Sequence, residues 1–484
     1  MNFSKSNRFF HKKPFPSSSC DADLSDRLPR TINLPQLTLI GIGSTLGTGI
    51  FFVMAETAPL AGPAVIIAFV LAALTAGLTA LCYAEVATRL PVAGSSYTFT
   101  YVTLGEGTAV VVAACLLLEW GIAGAAVAVG WSNYLNQFVE LLTGTPIPEM
   151  WRTPPLTLQD GELVLNPHGY INLPAVFVVG LCTLLLLRGA KDSARLNALL
   201  TMTKVSILLL FVAMSFSVFQ AKHFAPFMPF GITGVSSAAA IIFFSFVGLD
   251  AIVNASEEAV NPQRNIPLSI IAALLGVTLV YILVATASLG VQPHQAFTEG
   301  RGGLAHILFQ ATESRLNSIV LAVGAIISIF SVTLMTLFGQ ARIYFAMARD
   351  GLLPEALTQI DTKRQCPRRV TLLAGFAIMP IAACLQSQIL WSAVSLGTLI
   401  VFIVVCVALI MLRQTGEPSS ASQHFRVPGY PVTPLLSIVA SLYLIAHLGA
   451  AVFALLACWL SFALAFYFLY GQRHAMKHQG RMAT

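Results

Sequence analysis

The feature that most constrains this chain is a series of apolar stretches, each about 20 residues long, that recurs from residue 35 to residue 470. A helix of about 20 apolar residues crosses the hydrocarbon core of a bilayer. Hydrophobic residues make up 56% of the 484 residues and charged residues only 10%, whereas soluble domains average about 25% charged residues. The chain is therefore predicted to be an all-α integral membrane protein. A nucleic-acid binder, a secreted disulfide scaffold and a cytosolic enzyme are excluded.

The apolar stretches predict about twelve membrane-spanning helices, most of them joined by short polar loops. A longer loop is predicted at 139–170. The predicted spans are residues 35–54, 64–88, 107–138, 171–188, 195–219, 234–256, 267–291, 315–345, 370–386, 389–413, 433–449 and 451–470.

The distribution of basic residues predicts how these spans are oriented. With the N-terminus in the cytoplasm, 22 of the 27 Lys and Arg residues fall on the inner side and four on the outer side, and Lys204 lies inside a span. Cytoplasmic loops of membrane proteins are enriched in Lys and Arg. Both termini are therefore predicted to be cytoplasmic, with an even number of spans between them.

Two of the spans contain glycine and polar residues at mid-depth. Span 1 contains Gly-Ile-Gly-Ser-Thr-Leu-Gly-Thr-Gly at 41–49, and span 6 contains Ser-Phe-Val-Gly-Leu-Asp at 245–250. Because they are five spans apart, the second half of the chain would run inverted relative to the first. Small residues also allow close helix packing, but paired broken helices in inverted repeats are typical of a substrate site at the bilayer midplane. The matched pair favours the substrate site.

The chemistry of such breaks predicts the kind of ligand. The run at 41–49 has no Gly-Lys-Ser/Thr ending, so it does not match a phosphate-binding loop, and no cofactor is expected. Free backbone N–H groups and the positive end of a half-helix can hold a carboxylate. Carbonyl groups freed at the other break can accept hydrogen bonds from an ammonium group. A zwitterionic amino acid carries both groups.

Three charged residues lie deep within predicted spans. Lys204 is nine residues into span 5, roughly 13 Å from its start at ~1.5 Å per residue. A charge there costs at least ~2.5–3.5 kcal/mol, and burial disfavours the charged form of a lysine. Lys204 is therefore predicted to load and release a proton, the alternative being a permanent structural tie to carbonyls or a carboxylate. Glu119 and Asp250 are interpreted first as structural groups, with gating or proton movement as the alternative.

The motifs resemble those of the amino acid–polyamine–organocation superfamily, and specifically its cationic-amino-acid-transporter branch in bacterial form. The likeness covers nearly the whole chain after about residue 30. It is carried by Gly-Ile-Gly-Ser-Thr-Leu-Gly-Thr-Gly-Ile-Phe at 41–51, Pro-Val-Ala-Gly-Ser-Ser-Tyr at 91–97, 119–132, Phe-Phe-Ser-Phe-Val-Gly-Leu-Asp at 243–250, 257–267, 342–354 and Phe-Arg-Val-Pro at 425–428.

The resemblance implies a leucine-transporter-type fold, with five-plus-five inverted repeats, discontinuous helices 1 and 6, and two added C-terminal helices. It also implies secondary active amino acid transport by alternating access. The corresponding division of the chain is a basic cytoplasmic tail at 1–30, a first repeat at 31–225, a second repeat at 226–415, helices 11 and 12 at 416–470, and a cytoplasmic tail at 471–484.

The resemblance also implies roles for individual residues. Lys204 matches the span-5 lysine of proton-coupled members, with backbone around Gly43 as its expected partner, and Phe244 matches a gating aromatic residue. Relatives often have alanine at the position of Ser245, so the pocket here is more polar. The implied carboxylate-binding residues are Gly47, Thr48 and Gly49, the amino-group-binding residues are Phe243, Phe244, Ser245 and Val247, and Gly43, Ser44 and Leu46 complete the substrate site.

The sequence thus predicts a proton-coupled amino acid importer of the cell membrane, with amino acids, protons and lipid as its partners. Amino acid exchange on the same fold is the alternative. A membrane-embedded enzyme would need a cluster of His, Asp or Cys residues around a cavity, and the sequence offers only scattered ones. A receptor of this type would usually carry a soluble signalling domain.

Overall fold

A computed structural model describes residues 32–47, 49–89, 95–159, 162–187, 193–254, 259–297, 303–312, 315–359, 367–385, 387–414 and 425–471. The first half of the chain forms α1 (Leu34–Thr45), α2 (Gly49–Ala61), α3 (Val65–Arg89), α4 (Ser95–Thr103), α5 (Glu106–Thr143), α6 (Glu149–Arg152), α7 (Leu173–Leu186) and α8 (Ser193–Phe216). The second half forms α9 (Gly231–Ile242), α10 (Asp250–Asn254), α11 (Pro262–Val291), α12 (Leu304–Thr312), α13 (Arg315–Arg349), α14 (Arg368–Cys384), α15 (Ser387–Gln414), α16 (Val432–Ile445) and α17 (Ala450–Phe466).

The described helices are apolar enough for a multi-pass membrane protein. Eight segments within the described residues are long and apolar enough to cross a bilayer, and α7 and α16 are shorter apolar helices. Every predicted span overlaps at least one of the helices. The prediction of an all-α membrane protein is confirmed at this level.

One small strand pair departs from the all-α prediction. In the long loop at 139–170, β1 (Leu156–Gln159) pairs antiparallel with β2 (Glu162–Leu165), so that Leu156 lies opposite Leu165. Its strands are only four residues long, too short to show as a separate element in an apolar sequence pattern.

The core of the molecule is built around α5. In the most apolar 18-residue stretch of α5, 89% of the residues are buried within the protein. The corresponding figure for the segment Ala450–Gly471, which contains α17, is 17%. Helices α13 and α15 pack against α5, while α11 packs against α3, α1 and α8. Twelve of the 27 buried residues of α5 are Gly, Ala or Ser, among them Gly121, Ala125 and Ala128, and small residues let helix backbones approach closely.

The start of α1 is fixed by a local capping arrangement. The backbone N–H of Gln36 donates to Asn33 Oδ1 at 3.1 Å, and the backbone N–H of Asn33 donates to Gln36 Oε1 at 3.1 Å. These reciprocal bonds satisfy N–H groups that the first turn of a helix leaves unpaired. The helix then runs without charged residues to its interruption at residue 46.

Candidate functional site

The first helix interruption separates α1 from α2. Leu46 leaves the helical conformation with φ −69° and ψ 69°, and the N–H of Gly47 donates to the carbonyl of Thr45 at 2.7 Å. Helix α2 begins at Gly49. Leu46, Gly47 and Gly49 are buried, whereas Thr48 lies outside the described residues. The backbone N–H groups at the start of α2 therefore lie inside the protein.

The second interruption separates α9 from α10. A short 3₁₀ turn covers Phe243–Phe246, and Val247 is extended, with φ −64° and ψ 139°. Gly248 has a φ of +110°, a conformation that disfavours residues other than glycine. Helix α10 begins at Asp250, whose side chain lies outside the described residues.

The two interruptions are in direct contact. Ser44 Oγ lies 2.9 Å from the carbonyl oxygen of Gly248 and 2.7 Å from that of Ile40 in its own helix, and its one proton is donated to one of them at a time. A Cβ placed on Gly248 would lie 2.7 Å from the carbonyl oxygen of Ser44. A Cβ placed on Gly49 would lie 2.8 Å from Ser245 Cβ. Glycine at 49 and 248 is therefore what allows the two backbones to approach this closely.

Tyr281 of α11 joins the two interruptions through its hydroxyl group. Its Oη lies 2.8 Å from the carbonyl oxygen of Thr45 and 2.6 Å from that of Ser245. A tyrosine hydroxyl has one proton, so it donates to one of these carbonyls at a time. The ring is fully buried and packs against Phe246 with a centroid distance of 5.3 Å. Sequence reasoning missed Tyr281, although a tyrosine in the middle of an apolar span is a signal that could have been used.

Lys204 of α8 contacts α1 just before the first interruption. Its Nζ donates to the carbonyl of Gly43 at 3.0 Å, and the residue is 1% exposed. Among the described side chains, no Asp or Glu forms a salt bridge with Lys204. Thr201, one turn earlier in α8, contacts the position that a Cβ on Gly43 would occupy. The ammonium group is therefore held by a backbone carbonyl in the last turns of α1.

Three buried hydroxyl groups surround this junction. Within the described part of the chain, the side-chain oxygens of Thr45, Thr201 and Ser245 have no hydrogen-bond partner. Each of these residues is at most 2% exposed. Buried polar groups normally have a partner, so these hydroxyls are available to a polar ligand. The described residues contain no group of three His, Cys, Asp or Glu residues that could hold a metal ion.

A narrow crevice lies on one side of the junction, and we call it the Trp391 crevice. It is closed, with no room for a water molecule between its walls. Phe244 of the second interruption forms part of its wall, and its ring lies 4.4 Å from that of Trp391 between centroids. The crevice is lined by Gly49, Val53, Glu56, Ile241, Phe244 and Trp391.

A second narrow crevice, the Phe402 crevice, has room for about one water molecule at most. Helix α2 packs against α9, whereas α1 packs against α10, so the two pairs lie on opposite sides of the junction. The Trp391 crevice is lined from α2, α9 and α15, and the Phe402 crevice from α3, α10, α11 and α15. Each crevice therefore approaches the interruptions from its own side. The Phe402 crevice is lined by Ala80, Tyr83, Leu249, Val253, Ile270 and Phe402.

The structure brings most of the predicted site residues together but not all of them. Phe243 packs edge-on against Phe402 at 5.4 Å between ring centroids, and Val247 is partly buried beside Gly248. Glu119 is 3% exposed in α5, where its Cβ lies 3.9 Å from the position of a Cβ on Gly397 of α15. Glu119 does not line either crevice. Trp391, Phe402 and Glu56 line the crevices and were missed from the sequence.

Interrupted helices that meet at a buried polar junction are typical of multi-pass membrane transporters. A family model described as amino acid permease matches residues 32–479. The chain therefore belongs to the amino acid permease family, within the amino acid–polyamine–organocation superfamily, as the sequence motifs predicted. Members of this family are transporters, and the prediction that the chain is not an enzyme is confirmed.

Individual relatives are similar over nearly the whole chain. The methylthioribose transporter of Bacillus subtilis (strain 168) is 38% identical over 470 residues, which cover 96% of this chain and 98% of that protein. The branched-chain amino acid permease BcaP of the same organism is 37% identical over 97% of this chain and 99% of its own length. The cationic amino acid transporter 4 of Homo sapiens is 34% identical over 84% of this chain and 64% of that protein.

Proposed function

We propose that this chain is a proton-coupled amino acid importer that works by alternating access. The observation that carries the proposal is the hydrogen bond from Lys204 Nζ to the carbonyl of Gly43, next to the junction of two interrupted helices. An ionisable group buried in a membrane protein is a functional candidate by default. Here it contacts the backbone of the helix that ends at the substrate site.

The junction offers complementary groups to each end of a zwitterion. Helix α2 begins at Gly49, and the positive end of its helix dipole favours a carboxylate there. We assign Gly47, Thr48 and Gly49 to the carboxylate end of the substrate. The carbonyls of the turn at Phe243–Phe246 and of Val247 face the substrate's ammonium group. The partnerless hydroxyls of Thr45 and Ser245 add two further polar contacts. The proposed site is completed by Gly43, Ser44 and Leu46.

Proton coupling follows from the chemistry of the Lys204 contact. A protonated ammonium group donates to the Gly43 carbonyl and holds α1 against α8. When the proton leaves Nζ for water, the neutral amine keeps N–H donors but loses its charge, and a charge-assisted hydrogen bond is about twice as strong as a neutral one. Loss of the proton therefore loosens α1. Proton release and movement of the first interruption are linked in this way.

In this proposal the two crevices, both closed in this structure, widen in turn to form the two access routes. The chain then has twelve spans arranged as two inverted repeats of five, at 31–225 and 226–415, followed by two C-terminal helices. With both termini cytoplasmic in the cell membrane, the Trp391 crevice faces outward and the Phe402 crevice faces inward. The names of the relatives support an amino acid or a similarly small polar molecule as the substrate.

Uptake into proteoliposomes tests the proposal directly. Purified protein is reconstituted and supplied with labelled amino acids under one of three conditions. These are an inward proton gradient, with the lower pH outside, an inward sodium gradient, or no gradient. We expect accumulation above the external concentration only with the pH gradient. Accumulation that follows sodium would overturn the coupling, and accumulation that requires internal amino acid would favour exchange instead. If no amino acid is taken up under any condition, the amino acid assignment fails.

A further inference from the structure

Two cysteines lie side by side where α3 packs against α15. Cys82 of α3 and Cys406 of α15 are fully buried, and their thiol groups are hydrogen-bonded to each other. A single buried cysteine usually packs as a small apolar side chain. Two adjacent thiols on different helices have a further chemical option, because they can be oxidised to a disulfide that joins the helices covalently. Neither residue takes part in the proposed proton coupling.

An ion pair near the C-terminal ends of the same two helices holds the thiols in register. Arg413 Nε of α15 donates to Glu85 Oε1 of α3 at 2.8 Å, and its Nη2 donates to the other carboxylate oxygen. Cys82 lies three residues before Glu85, and Cys406 lies seven residues before the arginine. Both spacings place a cysteine on the same helix face as its charged neighbour. A bidentate pair is strong and geometrically specific, so it keeps the two cysteine-bearing faces opposed.

A third helix contributes a hydrogen bond to this pair. The hydroxyl of Ser437 in α16 is bonded to the thiol of Cys406. A hydroxyl can donate to a sulfur that has lost its proton, and the thiolate is the form of cysteine that reacts. Cys406 is therefore assigned as the thiol that reacts first. Cys82, whose sulfur lies against that of Cys406, is placed to close the disulfide in a second step.

The Phe402 crevice lies next to the cysteine pair. It is lined by Tyr83, the residue after Cys82, and by Phe402, one helical turn before Cys406. The rings of Tyr83 and Phe402 pack edge-on at 5.6 Å between centroids. Because the crevice has room for about one water molecule at most in this structure, both sulfurs are closed off from solvent.

We propose that Cys82 and Cys406 are an oxidative modification site, at which a peroxide forms a disulfide that arrests transport. The disulfide ties α3 to α15, two of the helices that line the Phe402 crevice, so the crevice can no longer widen. Before oxidation, a peroxide reaches the thiols only while the crevice is wide. This inference therefore rests on the proposed function, in which the crevice widens during transport.

The oxidation takes two steps. The sulfur of Cys406, having given up its proton, attacks hydrogen peroxide. The O–O bond breaks, hydroxide leaves and takes up that proton as water, and a sulfenic acid remains. The sulfur of Cys82 then attacks the sulfenic sulfur, the S–S bond forms, and the hydroxyl group leaves with the Cys82 proton as a second water. Both thiols are oxidised, the peroxide is reduced to water, and a thiol reductant reverses the change by exchange.

Peroxide treatment of protein in proteoliposomes tests the proposal. Hydrogen peroxide is added and then removed with catalase. One part of each sample is alkylated and digested for mass spectrometry, and another is assayed with the labelled amino acid that untreated protein takes up fastest. We expect a peptide pair joined through Cys82 and Cys406. Uptake is expected to be lost in proportion to the fraction of protein that is cross-linked, and to return after treatment with dithiothreitol.

Two variants guard the interpretation. Cys82→Ala keeps a small apolar side chain between the helices and lacks the second thiol. It is expected to take up amino acid like the wild type before peroxide and to keep this rate afterwards. Cys115→Ala is the matched control, because Cys115 of α5 is also fully buried, and it is expected to stay as sensitive to peroxide as the wild type. Thermal unfolding of each purified variant reports whether it is folded.

The outcomes separate this inference from the proposed function. Absence of the Cys82–Cys406 peptide pair after peroxide overturns the modification site. Cross-linked protein that takes up amino acid at the untreated rate overturns the arrest, and so does a folded Cys82→Ala variant that peroxide inhibits as it does the wild type. Absence of uptake of every labelled amino acid before peroxide overturns the proposed function, while mass spectrometry still decides whether the disulfide forms.

Discussion

The two helix interruptions meet at one point but are held in place by different kinds of contact. The first is held by a charged side chain, with Lys204 Nζ donating to the carbonyl of Gly43, while the hydroxyl of Tyr281 contacts one carbonyl of each interruption. The second is packed by aromatic rings, with Phe243 against Phe402 and Phe244 against Trp391.

The two kinds of contact respond differently to a change of charge. A hydrogen bond to a charged donor changes strength when the donor loses its proton, so the first interruption can respond to protonation. Aromatic contacts carry no charge and let rings move apart with little electrostatic cost. In the proposed mechanism, the first interruption therefore takes part in recognition and coupling, and the second in opening and closing.

The largest effect is expected from Gly248→Ala, because it disturbs the point where the interruptions touch. The φ of +110° is strained for alanine, which costs of order 1–3 kcal/mol. The added Cβ would also lie 2.7 Å from the backbone oxygen of Ser44. We expect the initial rate of uptake to fall more than tenfold and the melting temperature of the purified protein to drop.

Gly449→Ala is the matched control for that substitution. Gly449 has a φ of −67°, and no atom lies within 4 Å of the position of its Cβ. Alanine there is expected to leave uptake unchanged. If the two alanine variants behaved alike, close approach of the interruptions would not matter for transport.

A smaller effect is expected from Tyr281→Phe, which removes the hydroxyl shared by both interruptions and keeps the ring against Phe246. Leaving a buried carbonyl without its donor costs about 1–3 kcal/mol. Uptake rate is expected to fall about five- to tenfold, with a smaller change in thermal stability than in Gly248→Ala. Tyr170→Phe, at a position that is 67% exposed, serves as the control. Wild-type uptake by Tyr281→Phe would contradict a joining role for the hydroxyl.

The smallest effect on transport is expected from Trp391→Ala. This substitution removes the ring that packs against Phe244 of the second interruption and leaves the polar contacts of the first interruption in place. An aromatic pair contributes about 0.5–1.5 kcal/mol beyond its buried area, so KM for uptake is expected to rise about two- to tenfold. Trp151→Ala removes a tryptophan that is 45% exposed and should leave KM unchanged. An unaltered KM in Trp391→Ala would show that the ring pair does not close over the substrate.

The sequence predicted those parts of the site that lie in local patterns. The positions of both interruptions followed from glycine and polar residues within apolar runs, and Lys204 was conspicuous because its charge lies in mid-span. The membrane class and the family were confirmed. The carbonyl of Gly43 was expected from resemblance, and the hydrogen bond to it is present.

The parts that the sequence did not predict depend on contacts between distant helices. Tyr281, Trp391 and Phe402 come from α11 and α15, and in spans that are apolar on every face the periodicity does not show which side meets the substrate junction. Glu56 lies two helical turns beyond the glycine run, outside the local pattern that predicted the site. The hairpin of β1 and β2 was missed because its strands are too short for an alternating pattern to be distinctive.

The central claim is that the ammonium of Lys204 on the Gly43 carbonyl couples protons to substrate movement, and proton entry measures it most directly. Proteoliposomes loaded with a pH-sensitive dye and given external amino acid are expected to acidify inside with wild-type protein and with Lys222→Ala, which changes an exposed lysine. With Lys204→Ala, the account predicts that labelled amino acid still equilibrates across the membrane while substrate-induced acidification is lost. Acidification by Lys204→Ala at the wild-type ratio of protons to amino acid would contradict the account.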